Sequence, residues 1–174
     1  NVGLGTYSVV VTGTDGCSGI GYYQIMKESP AMQEICMVTV DTLTGTNQVV
    51  WEKDMNATDI AGYNIYKEST QSGLYYLVGF VDYDSLSLWV DPISNSDVRS
   101  WRYKVAVLDD CGNESAWSGE HKTIHLNVNQ GIGNVYNLIW DHYEGRAYSS
   151  YDIHRYDTVT QQWSYLTTVP SNIN

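Results

Sequence analysis

The sequence predicts an all-β chain of tandem sandwich units, two of them incomplete, and three observations carry that prediction. Short alternating segments separated by turn clusters recur at roughly 8–12-residue spacing, the rhythm of a β-sandwich. No segment shows a helical period. The chain also repeats itself: ICMVTVDTLTGTNQVVWEK (35–53) aligns without gaps on IHLNVNQGIGNVYNLIWDH (124–142), pairing Ile35 with Ile124, Met37 with Leu126, Val49 with Leu138 and Trp51 with Trp140. After one deletion, 62–81 aligns on 150–169, pairing Tyr63 with Tyr151, Ile65 with Ile153 and Leu77 with Leu166. Consecutive copies of one structural unit produce such a match.

Composition agrees with this class and excludes others. Tyr (15) and Trp (6) are abundant against a single Phe, a diet suited to twisted, half-exposed strands. With 43% apolar residues the chain can bury a core. Nine basic against 20 acidic residues give a net charge of −11, and no Lys/Arg cluster is present to neutralise phosphate, which argues against nucleic acid and anionic lipid as partners. No run reaches the roughly 20 apolar residues of a membrane span, so direct membrane insertion is not expected. The first residues lack the pattern of a signal peptide, and Asn1 reads as a processed end or a fragment boundary.

The elements follow in order. GTYSVVVTGTDGCSG (5–19) opens with an alternating strand carrying Tyr7, Val9 and Val11, then an acidic glycine turn ending in Cys17. Strands are then expected at 35–40, 48–52, 62–67, 76–81, 86–91, 101–108 and 116–122. Thr44-Gly45-Thr46-Asn47, Ser72-Gly73 and Asp109-Asp110-Cys111-Gly112-Asn113 supply the turn chemistry between them. Residues 124–174 repeat only the first strands of this set. The domains read as 1–30, the closing hairpin and linker of a preceding unit; 31–123, a complete unit; and 124–174, the first half of another. The last strand of the complete unit runs through 121–124 into the next copy without a Gly/Ser-rich linker, which predicts a semi-rigid rod.

Trp51, YNIYKES, LWVDP and above all WRYKVAVLDDCGNESAWS resemble the fibronectin type III domain, an immunoglobulin-like β-sandwich, over residues 32–123. Trp51, Tyr63, Tyr103, Val105, Val107 and Trp140 are the structural core this resemblance implies. Tyr7–Ser18 aligns on Tyr103–Glu114 as the same final hairpin. GTYSVVVTGTDGC is also similar to the closing hairpin of polycystic-kidney-disease-like and SprB-type repeats of secreted Bacteroidetes adhesins. Those resemblances imply an extracellular surface protein exported by the type IX secretion system, acting as a spacer or adhesive segment. In the implied topology the start of the first strand and the turn at 109–113 share a pole. Cys36 and Cys111 are therefore candidates for a disulfide, leaving Cys17 to an upstream partner.

Candidate chemistry is sparse. No G-x-G-x-x-G or G-x-S-x-G occurs, and no acid–base pair or nucleophile is identifiable, so no enzyme is expected. His121 and His125 would share a strand face, but no third metal ligand accompanies them. Asp82, Asp84, Asp91, Asp109 and Asp110 offer oxygen ligands without a spaced calcium loop; no cofactor is expected, with Ca²⁺ as the alternative. Thr42, Ser85 and Thr158 sit in Asp-Ser/Thr-apolar tripeptides that resemble Bacteroidetes O-glycosylation acceptors, and Asn56 and Asn113 open N-glycosylation sequons. Tyr22, Tyr23, Tyr75, Tyr76, Trp89, Trp101, Trp117, Tyr143 and Trp163 provide rings for stacking on surface glycans, the basis of an alternative as a carbohydrate-binding accessory module. A second alternative is a self-complementing subunit, in which residues 1–30 lend their hairpin to the half-domain of another copy.

Overall fold

The computed structural model describes residues 3–25 and 28–173, and its regular structure is entirely strand. Of the expected linker Lys27-Glu28-Ser29-Pro30, Lys27 lies outside the described residues. The chain begins with a hairpin of β1 (Gly5–Thr12) and β2 (Ser18–Ile25), in continuous register from Gly5↔Ile25 to Thr12↔Ser18. Its turn is closed by Gly13 N–H on the Cys17 carbonyl (2.7 Å) and by the Asp15 carboxylate accepting from Cys17 N–H (3.1 Å). The Tyr7 hydroxyl reaches back to the Gly3 carbonyl (2.7 Å).

Residues 35–122 form a sandwich of two antiparallel sheets. One holds β3 (Ile35–Val40), β4 (Asn47–Trp51) and β7 (Leu88–Asp91) in that order. The other holds β6 (Tyr75–Asp82), β5 (Ile60–Glu68), β8 (Arg102–Asp109) and β9 (His121–Lys122). This three-plus-four division, with the chain crossing between sheets after β4, β6 and β7, is an immunoglobulin-like sandwich of fibronectin type III topology. Period-2 alternation turns Val49 and Trp51 from one sheet toward Tyr63, Ile65, Tyr103, Val105 and Val107 from the other. The Trp51 and Tyr63 rings meet at 5.1 Å between centroids. Trp89 packs directly over Gly79, where a Cβ would collide with the indole.

The last strand is shorter than expected. Instead of a ladder over 116–122, only His121–Lys122 pair regularly with β8. Upstream, the Ser115 and Ser118 hydroxyls accept from Val107 and Val105 N–H (2.9 Å each). The N–H groups of the same serines bond back to the carbonyls of those valines. Two side chains thus take acceptor positions that backbone carbonyls hold in a regular strand.

The second copy consists of two hairpins: β10 (Leu126–Gln130) with β11 (Tyr136–Trp140), and β12 (Ser150–Asp157) with β13 (Gln162–Pro170). It reproduces an irregularity of the first copy, since β5–β6 breaks register between Ile65 and Tyr66 and β12–β13 between Ile153 and His154. Two pairings from the sequence alignment need correction. With the shared bulge in place, Leu77 corresponds to Tyr165, and Val78 to Leu166. Met37 does not correspond to Leu126 either. Val49 faces Val38 while Leu138 faces Val128, because the connection between β10 and β11 is one residue shorter than that between β3 and β4. A one-residue slip exchanges the two faces of a strand, so Met37 points away from the core and Leu126 lines the apolar groove between the hairpins.

Candidate functional site at the joint between units

The residues between β11 and β12, Asp141-His-Tyr-Glu-Gly-Arg-Ala-Tyr-Ser, pack against the end of the complete sandwich and form the most elaborate polar constellation among the described residues. Glu144 is its centre. Arg102, on the outer face of β8, grips both Glu144 oxygens, Nε to Oε2 at 2.6 Å and Nη2 to Oε1 at 2.8 Å, and its remaining arm reaches Glu68 at 3.0 Å. Lys122 adds an ion pair to Glu144 Oε1 at 2.8 Å, and its backbone N–H bonds the Glu144 carbonyl. Fork-to-fork pairing with a guanidinium sets an orientation that a single point charge does not. The Arg102 hydrogen bonds hold the Glu144 carboxyl down at about 2, against 4.5 for a free glutamate.

Tyr143, beside it, ties the segment to two strands: its hydroxyl accepts from Val38 N–H of β3 (3.1 Å) and lies 2.9 Å from His121 Nδ1 of β9. The connecting residues are tied as well. Thr123 is 1% exposed, its hydroxyl accepts from Trp101 N–H, and its N–H returns to the Trp101 carbonyl. His125 Nδ1 meets the Ser96 carbonyl at 2.7 Å, and the Ser100 hydroxyl meets Asp141 at 2.6 Å. Gly145 has a left-handed φ of +109°, and its Cα lies against the His121 ring with no room for a side chain. A groove of about 360 Å³ remains beside this contact, lined by Cys36, Met37, Tyr143, Arg146 and Tyr148 among others.

The outer face of the larger sheet leads into this joint through alternating rings and charges. Glu114 accepts from Asn64 (2.8 Å) and the Tyr66 hydroxyl (2.6 Å). The Tyr66 ring packs on Trp117 (4.8 Å), Trp117 on Tyr75 (5.8 Å), and Lys104 lies over Tyr75 (4.7 Å). Glu120 takes the Tyr75 hydroxyl and pairs with Lys104. Burial, followed by the adjacent Glu114 carboxylate, pushes the Tyr66 phenol up to about 12.

The other sequence candidates fall into place around these two features. Trp101 is covered by Lys67 (3.7 Å) and Arg99 (3.9 Å), whereas Trp117 has Tyr66 and Tyr75 as ring neighbours and is still 41% exposed. Tyr143 is committed to the joint, Trp89 to Tyr103 and Gly79, and Tyr22, Tyr23, Tyr76 and Trp163 remain exposed. His121 and His125 engage Tyr143 and Ser96 respectively, and no metal-binding group of three His, Cys, Asp or Glu is found among the described residues. Asp82 and Asp109 cap their own turns, and Asp91 is buried in the core. Thr42, Ser85 and Thr158 are exposed at turns closed by Asp41, Asp82 and Asp157. Asn56 is exposed, whereas Asn113 is held by Asp109 (2.8 Å).

The expected Cys36–Cys111 disulfide is not formed: both are free thiols, and Cys17, expected to pair upstream, is unbridged among the described residues. The turn carrying Cys111 is pinned toward the start of β5 by Asp110 N–H on the Asp59 carbonyl, whereas Cys36 borders the joint groove. Trp51, Tyr63, Tyr103, Val105, Val107 and Trp140 are buried, the last against the Tyr151 ring at 5.3 Å.

No family model and no curated protein matches this chain. Among solved structures it is similar to an Fn3-like protein from Clostridium thermocellum, at 17% identity with a TM-score of 0.43, covering 55% of this chain and 93% of that one. It is also similar to a β-1,2-glucanase from Parabacteroides distasonis, at 21% identity and a TM-score of 0.41, covering 64% of this chain but 16% of the enzyme.

Proposed function

We propose that this chain is a non-catalytic spacer segment, an array of β-sandwich units held end to end at a set angle, within an exported surface protein. The observation that carries this reading is the clamp on Glu144. A flexible tether has no use for a bidentate guanidinium, a second cation and a bridging phenol between consecutive units, and the connecting residues leave little slack for a hinge. The acidic surface favours solubility outside the cell and disfavours adhesion to anionic membranes. The exposed hydroxyls of Thr42, Ser85 and Thr158 are accessible to glycosylation in that setting. In affinity electrophoresis through gels containing soluble polysaccharides, a spacer migrates as it does in plain gel. Saturable retardation by any of them, abolished by Trp163→Ala, would establish the carbohydrate-binding alternative instead.

A specific observation favours one further reading, in which a second copy adds a hairpin. The edge of β12 away from β13 is unpaired, and the two hairpins of the second copy flank an apolar groove of about 670 Å³ that includes Leu126, Leu138, Trp140, Ile153 and Leu166. The β1–β2 hairpin carries unpaired edges and exposed Val9, Val10 and Val11. Transferring the β5–β8 register, where Asn64 faces Ala106, sets Asp152 opposite Val10 of a second copy. A cysteine-free chain carrying Val10→Cys and Asp152→Cys then forms disulfide-linked dimers and ladders under mild oxidation. Exclusively monomeric protein would eliminate strand addition.

A further inference from the structure

We infer that the joint is a pH-sensitive latch: docking of the 141–149 segment requires a neutral His121 with an unprotonated Nδ1, and acidification releases it. This inference rests on the spacer reading and adds regulation to the same joint.

The direction of the hydrogen bonds carries it. With the Tyr143 oxygen accepting the Val38 N–H, the arrangement that also uses the phenolic hydrogen is the one in which an unprotonated His121 Nδ1 accepts it. Protonating Nδ1 reverses that last bond. The phenol then faces two donors and its own hydrogen loses its acceptor, while the added charge sits on an imidazole that is 4% exposed. Charging a buried group away from water is costly. The imidazole cannot swing aside, because Gly145 packs on its face and the Tyr143 ring meets it edge-on at 5.9 Å.

The charged and titratable neighbours set the balance. Glu34, ahead of β3, favours the imidazolium, while Arg146 of the docking segment opposes it. Tyr103 is the register partner of His121 on β8, and Arg102, Lys122 and Glu144 are tied to one another in the clamp. Burial is the largest influence and holds the His121 pKa below its ordinary 6.5. A group whose folded pKa is depressed in this way contributes its full stabilisation above 6.5 and loses it as pH falls through the folded value. Glu144 stays ionised until about 2, so in the window just below 6.5 His121 changes charge while the clamp does not.

The test is an NMR titration of the 174-residue chain. The His121 Hε1 resonance should titrate below 6.5, and the NOE between the Tyr143 ring and the Val38 amide, present at neutral pH, should vanish over the same midpoint. His121→Gln, which keeps an acceptor and cannot titrate, should retain that NOE in mild acid. Persistence of the native NOE below the His121 midpoint, or a midpoint at or above 6.5, overturns the latch. Absence of the NOE already at neutral pH would instead strike at the docked joint, and with it the spacer reading.

Discussion

Replacing Lys67 by methionine is expected to lower the unfolding free energy of the complete sandwich by about 3–5 kcal/mol, the usual cost of stranding one member of a buried ion pair. Lys67 Nζ lies 2.6 Å from Asp91 Oδ2, and the two side chains are 7% and 0% exposed. Asp91 would keep only the Tyr103 hydroxyl (2.7 Å) and the Ile93 N–H (3.1 Å). Two donors do not replace a counter-charge in a dry interior. The disturbance spreads, because Tyr103 also accepts from Asn47 (2.8 Å), whose backbone N–H is held by Ser94 (2.7 Å). Lys67 also covers the Trp101 ring, so the substitution forfeits a cation–π contact. For a domain of this size the loss corresponds to roughly 15–30 °C in Tm. Pairing Lys67→Met with Asp91→Asn should recover part of it, since no uncompensated charge then remains. Denaturant unfolding monitored by near-UV circular dichroism decides the matter: a single-variant loss below about 1 kcal/mol would mean the pair is solvated rather than buried.

The second large effect is expected at Gly145. An alanine there must adopt a φ of +109° and insert its methyl into the His121 ring. Backbone strain of this kind costs on the order of 1–3 kcal/mol before any steric conflict is counted. Since His121 is fixed by Tyr143 and β8, the docking segment yields rather than the sandwich. Gly145→Ala should therefore leave the sandwich core intact, with chemical-shift changes concentrated at Val38, His121 and Lys122. Changes centred instead on Val49, Ile65 and Val105 would show that the joint and the core are not separable.

Much of this molecule can be read from its residues, and the failures have physical causes. Trp51, Tyr63, Tyr103, Val105 and Val107 stand out because period-2 alternation in a half-buried strand leaves little choice of face. The slip between β3 and β10 stays hidden, since a turn one residue shorter costs the alignment nothing while exchanging the strand's faces. The last strand reads as a ladder because serine spacing does not announce that Ser115 and Ser118 will bond with their side chains. Cys36 and Cys111 share a domain end only at the level of topology, and the local hydrogen bonds of the 109–113 turn send Cys111 elsewhere.

The sequence predicts a stiff joint without pointing to the residues that would make it. The missing linker signalled restraint, yet Tyr143 reads as one of several surface aromatics and Glu144 as ordinary loop charge. A usable signal does lie in the internal repeat. Trp51 is followed by Glu-Lys-Asp-Met-Asn and Trp140 by Asp-His-Tyr-Glu-Gly. The segment that must dock on a preceding sandwich has thus gained a phenol, a carboxylate and a glycine where its counterpart carries Asp54, the exposed Met55 and Asn56.

In the proposed spacer, consecutive units are held at one angle by the contacts of Tyr143, Glu144 and Gly145. Residual dipolar couplings of the 174-residue chain at neutral pH test this arrangement. Couplings from the sandwich and from β10–β13 should fit a single alignment tensor, and Gly145→Ala should split it into two. Two tensors of different magnitude in the unsubstituted protein would show independent tumbling and rule out a fixed angle.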